Sequence, residues 1–389
     1  MSEREFDIVV YGASGFTGRL VAEYLVQAHG ASDLKWAMAG RSLSRLEAVR
    51  DAIGAPADTV LITADAADPA SLGAMCKRTS VVITTVGPYQ LYGNELVAAC
   101  AATGTDYCDL CGEPAWMREQ IDLHGAAAAR SGARIVFSCG FDSIPFDLGV
   151  LMLQHDARAA HGAPAPRVKG RVRAMEGGFS GGTAASMKAT MAAAAKDPKV
   201  IKRLTDPFSL TPGFDGPDQP AGLLPHIDDA LDSWVAPFIM AAINTKNVHR
   251  TNQLLGHPYG EDFRYDEMVV TSPGEMGRQA AEMMAKVNPL AGDKGPRPGE
   301  GPSKQERDDG YYDLLFIGEY PDGRSLRYGV KGDRDPGYGS TSRMIAETAI
   351  LLSERPQDGD GGVWTPGALL GQALAERLQQ RAGLTFAAE

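Results

Sequence analysis

Hydrophobic positions in the first 150 residues form short apolar runs that alternate with amphipathic segments. The first run, Phe6–Tyr11, is typical of a strand that is buried on both faces of a parallel sheet. Similar runs predict strands at residues 35–42, 59–64, 80–86, 106–110 and 134–138. Because segments with helical spacing separate these runs, the pattern predicts an α/β fold with a doubly wound parallel sheet of the Rossmann type.

The first run leads directly into the glycine-rich sequence GASGFTG, which an amphipathic helix follows. A strand, a glycine turn and a helix in this order are the context that a dinucleotide-binding motif requires. Gly12 permits the tight turn, Gly15 lets the backbone approach a pyrophosphate, and Gly18 allows close packing of helix on strand. The N–H groups at the helix start would receive the anion. The cofactor contacts predicted at this turn are Gly12, Ser14, Gly15, Phe16, Thr17 and Gly18.

The second predicted strand ends in Gly-Arg-Ser, where an NAD-binding domain usually carries an acid for the ribose 2′-hydroxyl. Arg41, with Ser42 and Arg45 nearby, instead suits a 2′-phosphate by its charge and its bidentate geometry. The alternative is an ordinary solvated surface arginine. Asp65, at the end of the third predicted strand, either contacts the adenine amino group or caps the following turn. These residues favour NADPH as the cofactor.

The carboxyl ends of parallel strands face the cofactor crevice, so residues that follow later strands should line it. The residues expected there are Gly87, Pro88, Tyr89 and Gly140. A tyrosine at the crevice can act as a proton donor to the substrate. Tyr89 is the first candidate for this catalytic role, followed by Tyr92 and Asp142. The alternative for Tyr89 is that it packs against the nicotinamide or in the protein core.

The second half of the chain has a different pattern. Residues 168–175 alternate between apolar and polar side chains, as in a half-exposed strand. Residues 311–320 and 324–331 flank a Pro-Asp-Gly turn and predict an antiparallel hairpin. We therefore expect a dinucleotide-binding Rossmann domain at residues 1–153. A second α/β domain with a mixed or antiparallel sheet, at residues 154–345, would serve the substrate and dimerisation, and C-terminal helices at 346–389 would return to the first domain.

Composition excludes several classes of protein. The net charge of −11 argues against a broad nucleic-acid-binding face. Five irregularly spaced cysteines do not form a disulfide framework, and the scattered histidines predict no metal site. The apolar stretch at residues 234–243 is too short to span a membrane, and could be core, dimer interface, substrate channel or a peripheral membrane contact. The N-terminus lacks a signal peptide, so we expect a cytoplasmic protein, and a homodimer is plausible.

Motifs along nearly the whole chain together resemble the saccharopine dehydrogenase-like oxidoreductases, and within them the trans-acting enoyl reductase type. These motifs are GASGFTG (12–18), AGRS (39–42), TTVGPYQLYG (84–93), YCDLCGE (107–113), SCGFDSIPFDLG (138–149), SGGT (180–183), APFIMAAINTKNVHRTNQLLG (236–256), PGEGPS (298–303) and DPGYGST (335–341).

The resemblance implies a Rossmann domain, an α/β substrate domain and a nicotinamide cofactor. It also implies reduction of an enoyl C=C bond in an apolar lipid- or polyketide-like substrate, free or carrier-bound. Two alternatives stay open: a C=N or C=O reductase on the same fold, and a non-catalytic NADP-binding sensor or lipid-associated protein.

Overall fold

The computed structural model describes residues 4–178, 181–286, 299–357 and 359–389. Ser180 and Pro298, which belong to two of the motifs above, lie outside these residues. The strands are β1 (Phe6–Tyr11), β2 (Trp36–Gly40), β3 (Leu61–Thr63), β4 (Thr79–Thr84), β5 (Asp106–Cys108), β6 (Arg134–Val136), β7 (Arg167–Glu176), β8 (His226–Asp228), β9 (Ser233–Pro237), β10 (Arg264–Val270), β11 (Tyr311–Glu319), β12 (Ser325–Gly332), β13 (Gly362–Trp364) and β14 (Leu384–Ala388).

The helices are α1 (Phe16–His29), α2 (Leu43–Ala52), α3 (Pro69–Cys76), α4 (Tyr89–Tyr92), α5 (Asn94–Thr103), α6 (Pro114–Ser131), α7 (Ile144–His161), α8 (Gly181–Ala194), α9 (Pro198–Thr205), α10 (Ala241–Leu254), α11 (Gly274–Lys286), α12 (Lys304–Asp309), α13 (Thr341–Glu354) and α14 (Pro366–Arg381). A π-helical turn, Pro336–Ser340, leads into α13.

The first sheet is parallel and has the strand order β13-β6-β5-β4-β1-β2-β3. Strands β1 to β6 of this sheet have the Rossmann order, so the predicted fold class is confirmed. Neighbouring residues of β1 point into different cores: Ile8 belongs to one buried apolar cluster and Val9 to another. This two-sided burial explains the apolar run of β1. The strand order reverses between β1 and β4, which is where a doubly wound sheet binds its ligand.

The second sheet is mixed, as predicted, with the order β14-β12-β11-β7-β10-β9-β8. Strands β7 and β10 are parallel, while the other neighbours within this sheet run antiparallel. The predicted hairpin forms strands β11 and β12. Helix α7 begins beyond the end of β6 and packs on this hairpin, where a methyl group on Gly149 would lie 2.2 Å from the Phe316 ring. This helix therefore connects the two sheets and crosses the predicted boundary at residue 153.

The C-terminal segment 346–389 departs from the prediction of helices alone. Helix α13 packs on β1 and β4 of the first sheet, and β13 extends that sheet beyond β6. Strand β14, however, pairs with β12 in the second sheet. The segment thus adds one strand to each sheet, because both strands find partners that are distant along the chain.

The apolar stretch at residues 234–243 forms β9, a short connection and the start of α10. Val235, Ala236 and Ile243 are buried, and the Phe238 ring lies 5.6 Å from that of Phe146. Ile239 is exposed. Four residues of this stretch, Val235, Ala236, Phe238 and Ile243, are therefore buried, and Ile243 packs in the core cluster of the first sheet. Among the described residues, no helix is long and apolar enough to cross a membrane.

Candidate cofactor and substrate site

The turn between β1 and α1 is shaped for a phosphate group. Gly12 has a φ of 87°, and a methyl group there would lie 2.7 Å from Val86 Cγ2. A methyl group on Gly18 would lie 2.2 Å from the Gly12 carbonyl oxygen. Gly15 is the N-cap of α1, and no side chain caps the helix there. The first N–H groups of α1 are therefore available to a pyrophosphate, which a helix N-terminus binds well.

Two exposed arginines stand beside this turn. Within the described residues, the Arg41 and Arg45 side chains make no hydrogen bond or ion pair. Ser42 caps α2, since its hydroxyl accepts the Arg45 backbone N–H at 3.4 Å. Burial raises the pKa of Tyr11 to about 12, the Asp65 charge adds to this rise and the Arg41 charge opposes it. The ends of β1, β2 and β3 thus bring these groups together.

Asp65 takes one of its two predicted roles in the structure. Its Oδ1 accepts the Ala67 backbone N–H at 3.0 Å and so caps the turn after β3. The contact with adenine stays a prediction.

Tyr89 lies in the core of the first domain. Its hydroxyl donates to the Thr84 carbonyl oxygen at 3.3 Å and accepts the Leu110 N–H at 3.1 Å. The ring lies 5.7 Å from that of Trp116, and burial raises the tyrosine pKa well above its usual value. Because the hydroxyl is buried and occupied by two backbone groups, this position speaks against the predicted role of Tyr89 as proton donor. It matches the alternative of packing in the core.

The other predicted crevice residues are divided between the surface and the crevice walls. Tyr92 ends α4 at the surface with a side chain that is 46% exposed. Gly87 lies against α8, since a methyl group there would be 3.6 Å from Ser186 Oγ. Gly140 lies between Leu110 and Thr341, both about 2.9 Å from such a methyl group. Pro88 is the N-cap of α4, directly beside Gly87.

Side chains from three distant motifs meet above the glycine turn. The rings of Phe16 and Tyr338 pack edge to face at 5.2 Å, and the Arg307 guanidinium lies 5.7 Å from the Phe16 ring centre. The Tyr338 hydroxyl shares a hydrogen bond of 3.1 Å with Thr183 of α8. Residues of the second domain therefore pack against the start of α1, beside the glycine turn.

A buried polar cluster lies where the start of α7, α10 and β10 meet. Asn247 Nδ2 donates to Ser143 Oγ at 2.8 Å, and Asn244 Nδ2 donates to Glu267 Oε2 at 2.9 Å. The Tyr265 hydroxyl donates to the other Glu267 oxygen at 2.9 Å. We call these five residues and Asp142 the interdomain polar cluster.

Three acceptor oxygens of this cluster are buried without a hydrogen-bond partner among the described residues: Asp142 Oδ1, Asn244 Oδ1 and Asn247 Oδ1. Burial raises the pKa of Asp142 to about 7. Burial also raises the pKa of Glu267 well above its usual value, and the nearby Asp142 charge adds to this rise. Around neutral pH, Asp142 therefore retains a proton in part of the molecules. Perturbed acids of this kind concentrate at functional sites.

Comparison with known proteins connects this site to a family. The saccharopine dehydrogenase NADP-binding domain matches residues 8–136. A Mycobacterium tuberculosis protein assigned by name to the trans-acting enoyl reductases is 44% identical over 403 residues, which cover 96% of each chain. The trans-acting enoyl reductase of Mycobacterium leprae is 37% identical over 409 residues, covering 97% of this chain and 96% of the relative. The chain belongs to the trans-acting enoyl reductase family.

Solved structures support the fold of this reductase. Saccharopine dehydrogenase (L-Glu forming) of Saccharomyces cerevisiae aligns with 98% of the chain at a TM-score of 0.53 and 10% identity, over 100% of that chain. Homospermidine synthase of Legionella pneumophila aligns with 99% of the chain at a TM-score of 0.55 and 11% identity, over 91% of that chain. At such low identity, the likeness shows the fold alone.

The family assignment confirms the predicted resemblance and the cofactor. The reductase is an NADPH-dependent oxidoreductase with a saccharopine dehydrogenase-type NADP-binding domain. The glycine turn and the two unpaired arginines fit such a cofactor by shape and charge. The contacts of individual residues with NADPH stay predictions.

Sequence reasoning missed the other members of the interdomain polar cluster. Asn244 and Asn247 follow each other at helical spacing in α10, and both are fully buried. Glu267 stands in a strand whose neighbours, Asp266 and Met268, are also buried. Two signals in the sequence could have indicated this cluster. One is the polar stripe on α10, which follows an apolar segment, and the other is the pair of acids inside the buried strand β10.

Proposed function

We propose that this reductase uses NADPH to reduce the C=C bond of an enoyl thioester, and that Asp142 supplies the proton. The observation that carries the proposal is the Asp142 carboxyl, whose buried Oδ1 has no hydrogen-bond partner among the described residues and whose pKa burial raises to about 7. The curated relatives bear the name of enoyl reductases, which supports the choice of substrate.

The chain offers separate places for the parts of NADPH. The turn at Gly12–Gly18 and the start of α1 would hold the pyrophosphate, and Arg41 and Arg45 would hold the 2′-phosphate. Gly87 and Gly140, at the ends of β4 and β6, would border the nicotinamide. When bound, NADPH supplies a hydride to the β-carbon of the enoyl group. The protein must then deliver one proton to the α-carbon to complete the saturated product.

Asp142 is suited to this proton delivery by its surroundings. The adjacent Phe141 ring packs edge to face on Phe146 at 5.4 Å and on Tyr312 at 4.9 Å. Burial removes water from the Asp142 carboxyl, so the neutral form is favoured. The Asp142 charge in turn adds to the rise in the pKa of Glu267, because two nearby carboxyl groups resist carrying two negative charges. Asn244 and Tyr265 hold Glu267 in place through their hydrogen bonds.

Isotope labelling tests the proposal directly. The purified protein is given NADPH deuterated at the transferred position and a short enoyl thioester, first in water and then in heavy water with ordinary NADPH. We expect deuterium at the β-carbon in the first case and at the α-carbon in the second. Label at a carbonyl carbon or an amine carbon of a matched ketone or imine substrate, without enoyl reduction, would contradict the proposal.

Several finer predictions accompany this function without being part of its test. The homodimer, the carrier-bound form of the substrate, a peripheral membrane contact and the cytoplasmic location stay predictions.

A further inference from the structure

A basic cavity opens beside helices α6 and α9, outside the interdomain polar cluster. Its volume is about 350 Å³. Its lining includes the cations Arg118, Lys199, Lys202 and Arg203, the acids Asp206 and Asp215, and Ser209. The whole chain has 38 Lys and Arg against 49 Asp and Glu, so four cations around two acids reverse the overall charge balance.

The positive charge of this cavity is only partly neutralised. Within the described residues, the side chains of Lys199 and Lys202 make no hydrogen bond or ion pair. Arg203 donates one hydrogen bond, from Nη1 to the Ala115 carbonyl oxygen at 3.1 Å. Arg118 pairs with Asp122, which does not line the cavity, and donates Nη1 to the Ser209 carbonyl oxygen at 2.9 Å. The cavity thus retains cationic donors for an anion.

Ser209 provides a second, independent sign of a ligand. The residue is 2% exposed, yet its hydroxyl lacks a hydrogen-bond partner among the described residues. Buried hydroxyl groups are normally hydrogen-bonded, so an unpartnered one at a cavity calls for an explanation. The lysine and arginine side chains that line this cavity are a donor set that suits phosphate oxygens.

A second cavity shares part of its lining with the basic one. Its volume is about 430 Å³, and Lys199 and Arg203 line both cavities. It also reaches Gln90, whose amide donates to Thr190 of α8 at 3.2 Å. Gln90 follows Gly87 closely in the chain, and α8 covers Gly87. A long flexible group could therefore run from the crevice along α8 to the cations of α9.

We infer that the basic cavity binds the phosphate of a phosphopantetheine thioester, so that the enoyl end reaches the crevice. The inference rests on the proposed enoyl thioester reduction. The glycine turn and Arg41 are the proposed places for the phosphates of NADPH, so we assign the cations of α9 to a different phosphate. Coenzyme A and an acyl-carrier domain both present this phosphate on the same arm.

The test compares substrates with and without the phosphate. The Lys199→Ala/Lys202→Ala variant removes two exposed side chains of α9, and Lys188→Ala/Lys196→Ala removes two exposed lysines that line neither cavity. Each protein is given the same enoyl group on coenzyme A, on a carrier domain and on N-acetylcysteamine, which has no phosphate. We expect the first variant to lose about 10- to 100-fold in kcat/KM for a phosphate-bearing substrate and to keep wild-type kcat/KM for the N-acetylcysteamine thioester.

The control variant should match the wild type with every substrate, and the carrier with the higher kcat/KM identifies the source of the phosphate. Equal losses for all three thioesters, or no loss for any, would overturn the inference while leaving enoyl reduction intact. If the wild type turns over no enoyl thioester, the proposed function fails instead. Calorimetric titration with coenzyme A alone then tests whether the basic cavity binds a phosphate. Binding that weakens at least 10-fold in the Lys199→Ala/Lys202→Ala variant supports the inference, and unchanged or absent binding refutes it.

Discussion

Replacing Asp142 by asparagine keeps the size of the side chain and removes the proton that the mechanism needs. A positioned general acid contributes about 10²- to 10⁴-fold to the rate, so kcat should fall by that factor, or by about 3–5 kcal/mol in activation free energy. The wild-type kcat should also fall as the pH rises above about 7, because Asp142 then loses its proton. The variant should lack this limb of the pH profile.

Asp142→Asn should lower kcat but raise the stability of the folded protein. The pKa of Asp142 is raised from 3.8 to about 7, so the folded wild type loses stability as the pH rises through that range. Asparagine has no charge to bury. The free energy of unfolding of the variant, relative to wild type, should therefore grow between pH 4 and pH 8, by up to about 4 kcal/mol, and by less where water reaches the carboxylate.

Tyr89→Phe is the matched control for the alternative proton donor. Removal of the Tyr89 hydroxyl leaves the Thr84 carbonyl and the Leu110 N–H without this buried partner. We expect a loss of about 1–3 kcal/mol in the free energy of unfolding, with kcat within about threefold of wild type.

The assay is steady-state NADPH oxidation at several pH values, combined with urea denaturation of each protein. If Asp142→Asn keeps more than a tenth of the wild-type kcat and the same pH profile, Asp142 is not the proton donor. A 100-fold loss of kcat in a folded Tyr89→Phe protein would restore the tyrosine hypothesis.

The remaining predictions concern the cofactor turn and its support. Arg41→Ala should weaken NADPH binding about 10- to 100-fold in a fluorescence titration and NADH binding little. Equal losses for both cofactors, or a similar loss in the Arg50→Ala control on α2, would show that Arg41 does not bind the 2′-phosphate. Gly18→Ala should abolish NADPH binding or folding because its methyl group would meet backbone at 2.2 Å, whereas Gly73→Ala, with no atom within 4 Å, should behave as wild type in binding and circular dichroism. Glu347→Gln should lower the free energy of unfolding, measured with urea, by about 3 kcal/mol at pH 7 and by less at pH 3. Hydrogen bonds and an arginine hold the pKa of this buried carboxylate below its usual range, in spite of its burial. A loss that does not depend on pH would contradict this prediction.

Local pattern was sufficient to predict the cofactor half of the fold. A strand buried on both faces must be apolar at consecutive positions, and Gly12 and Gly18 occupy places where a side chain would strike backbone or neighbouring residues. These constraints act within a few residues, so they can be recognised in the sequence. The predicted strands of the first sheet accordingly lie within a few residues of those in the structure.

Long-range pairing was not predictable in the same way. Strand β13 has three residues and pairs with β6, more than 200 positions earlier, while β14 pairs with β12. Such short segments carry too few residues for a period to be recognised. Their positions depend on which sheet edge is free, which is a property of the assembled fold.

The candidate catalytic residues depended on burial, which the sequence shows only indirectly. Tyr89 follows a crevice strand as predicted, but the positions of Trp116 and Leu110 enclose its hydroxyl. Burial raises the pKa of Asp142, which lies just before α7, where Asn247 of α10 contacts Ser143 from more than 100 positions later. This meeting of distant segments could not be predicted from local spacing.

The most direct test of the account is product analysis after mixing the purified protein with NADPH and an enoyl thioester. We predict one saturated acyl product for each NADPH oxidised, a much lower kcat/KM with NADH, and loss of this reaction in Asp142→Asn. Tight NADPH binding without conversion of any enoyl thioester would contradict the proposed reaction, and reduction of the matched imine or ketone instead would assign the site to another bond.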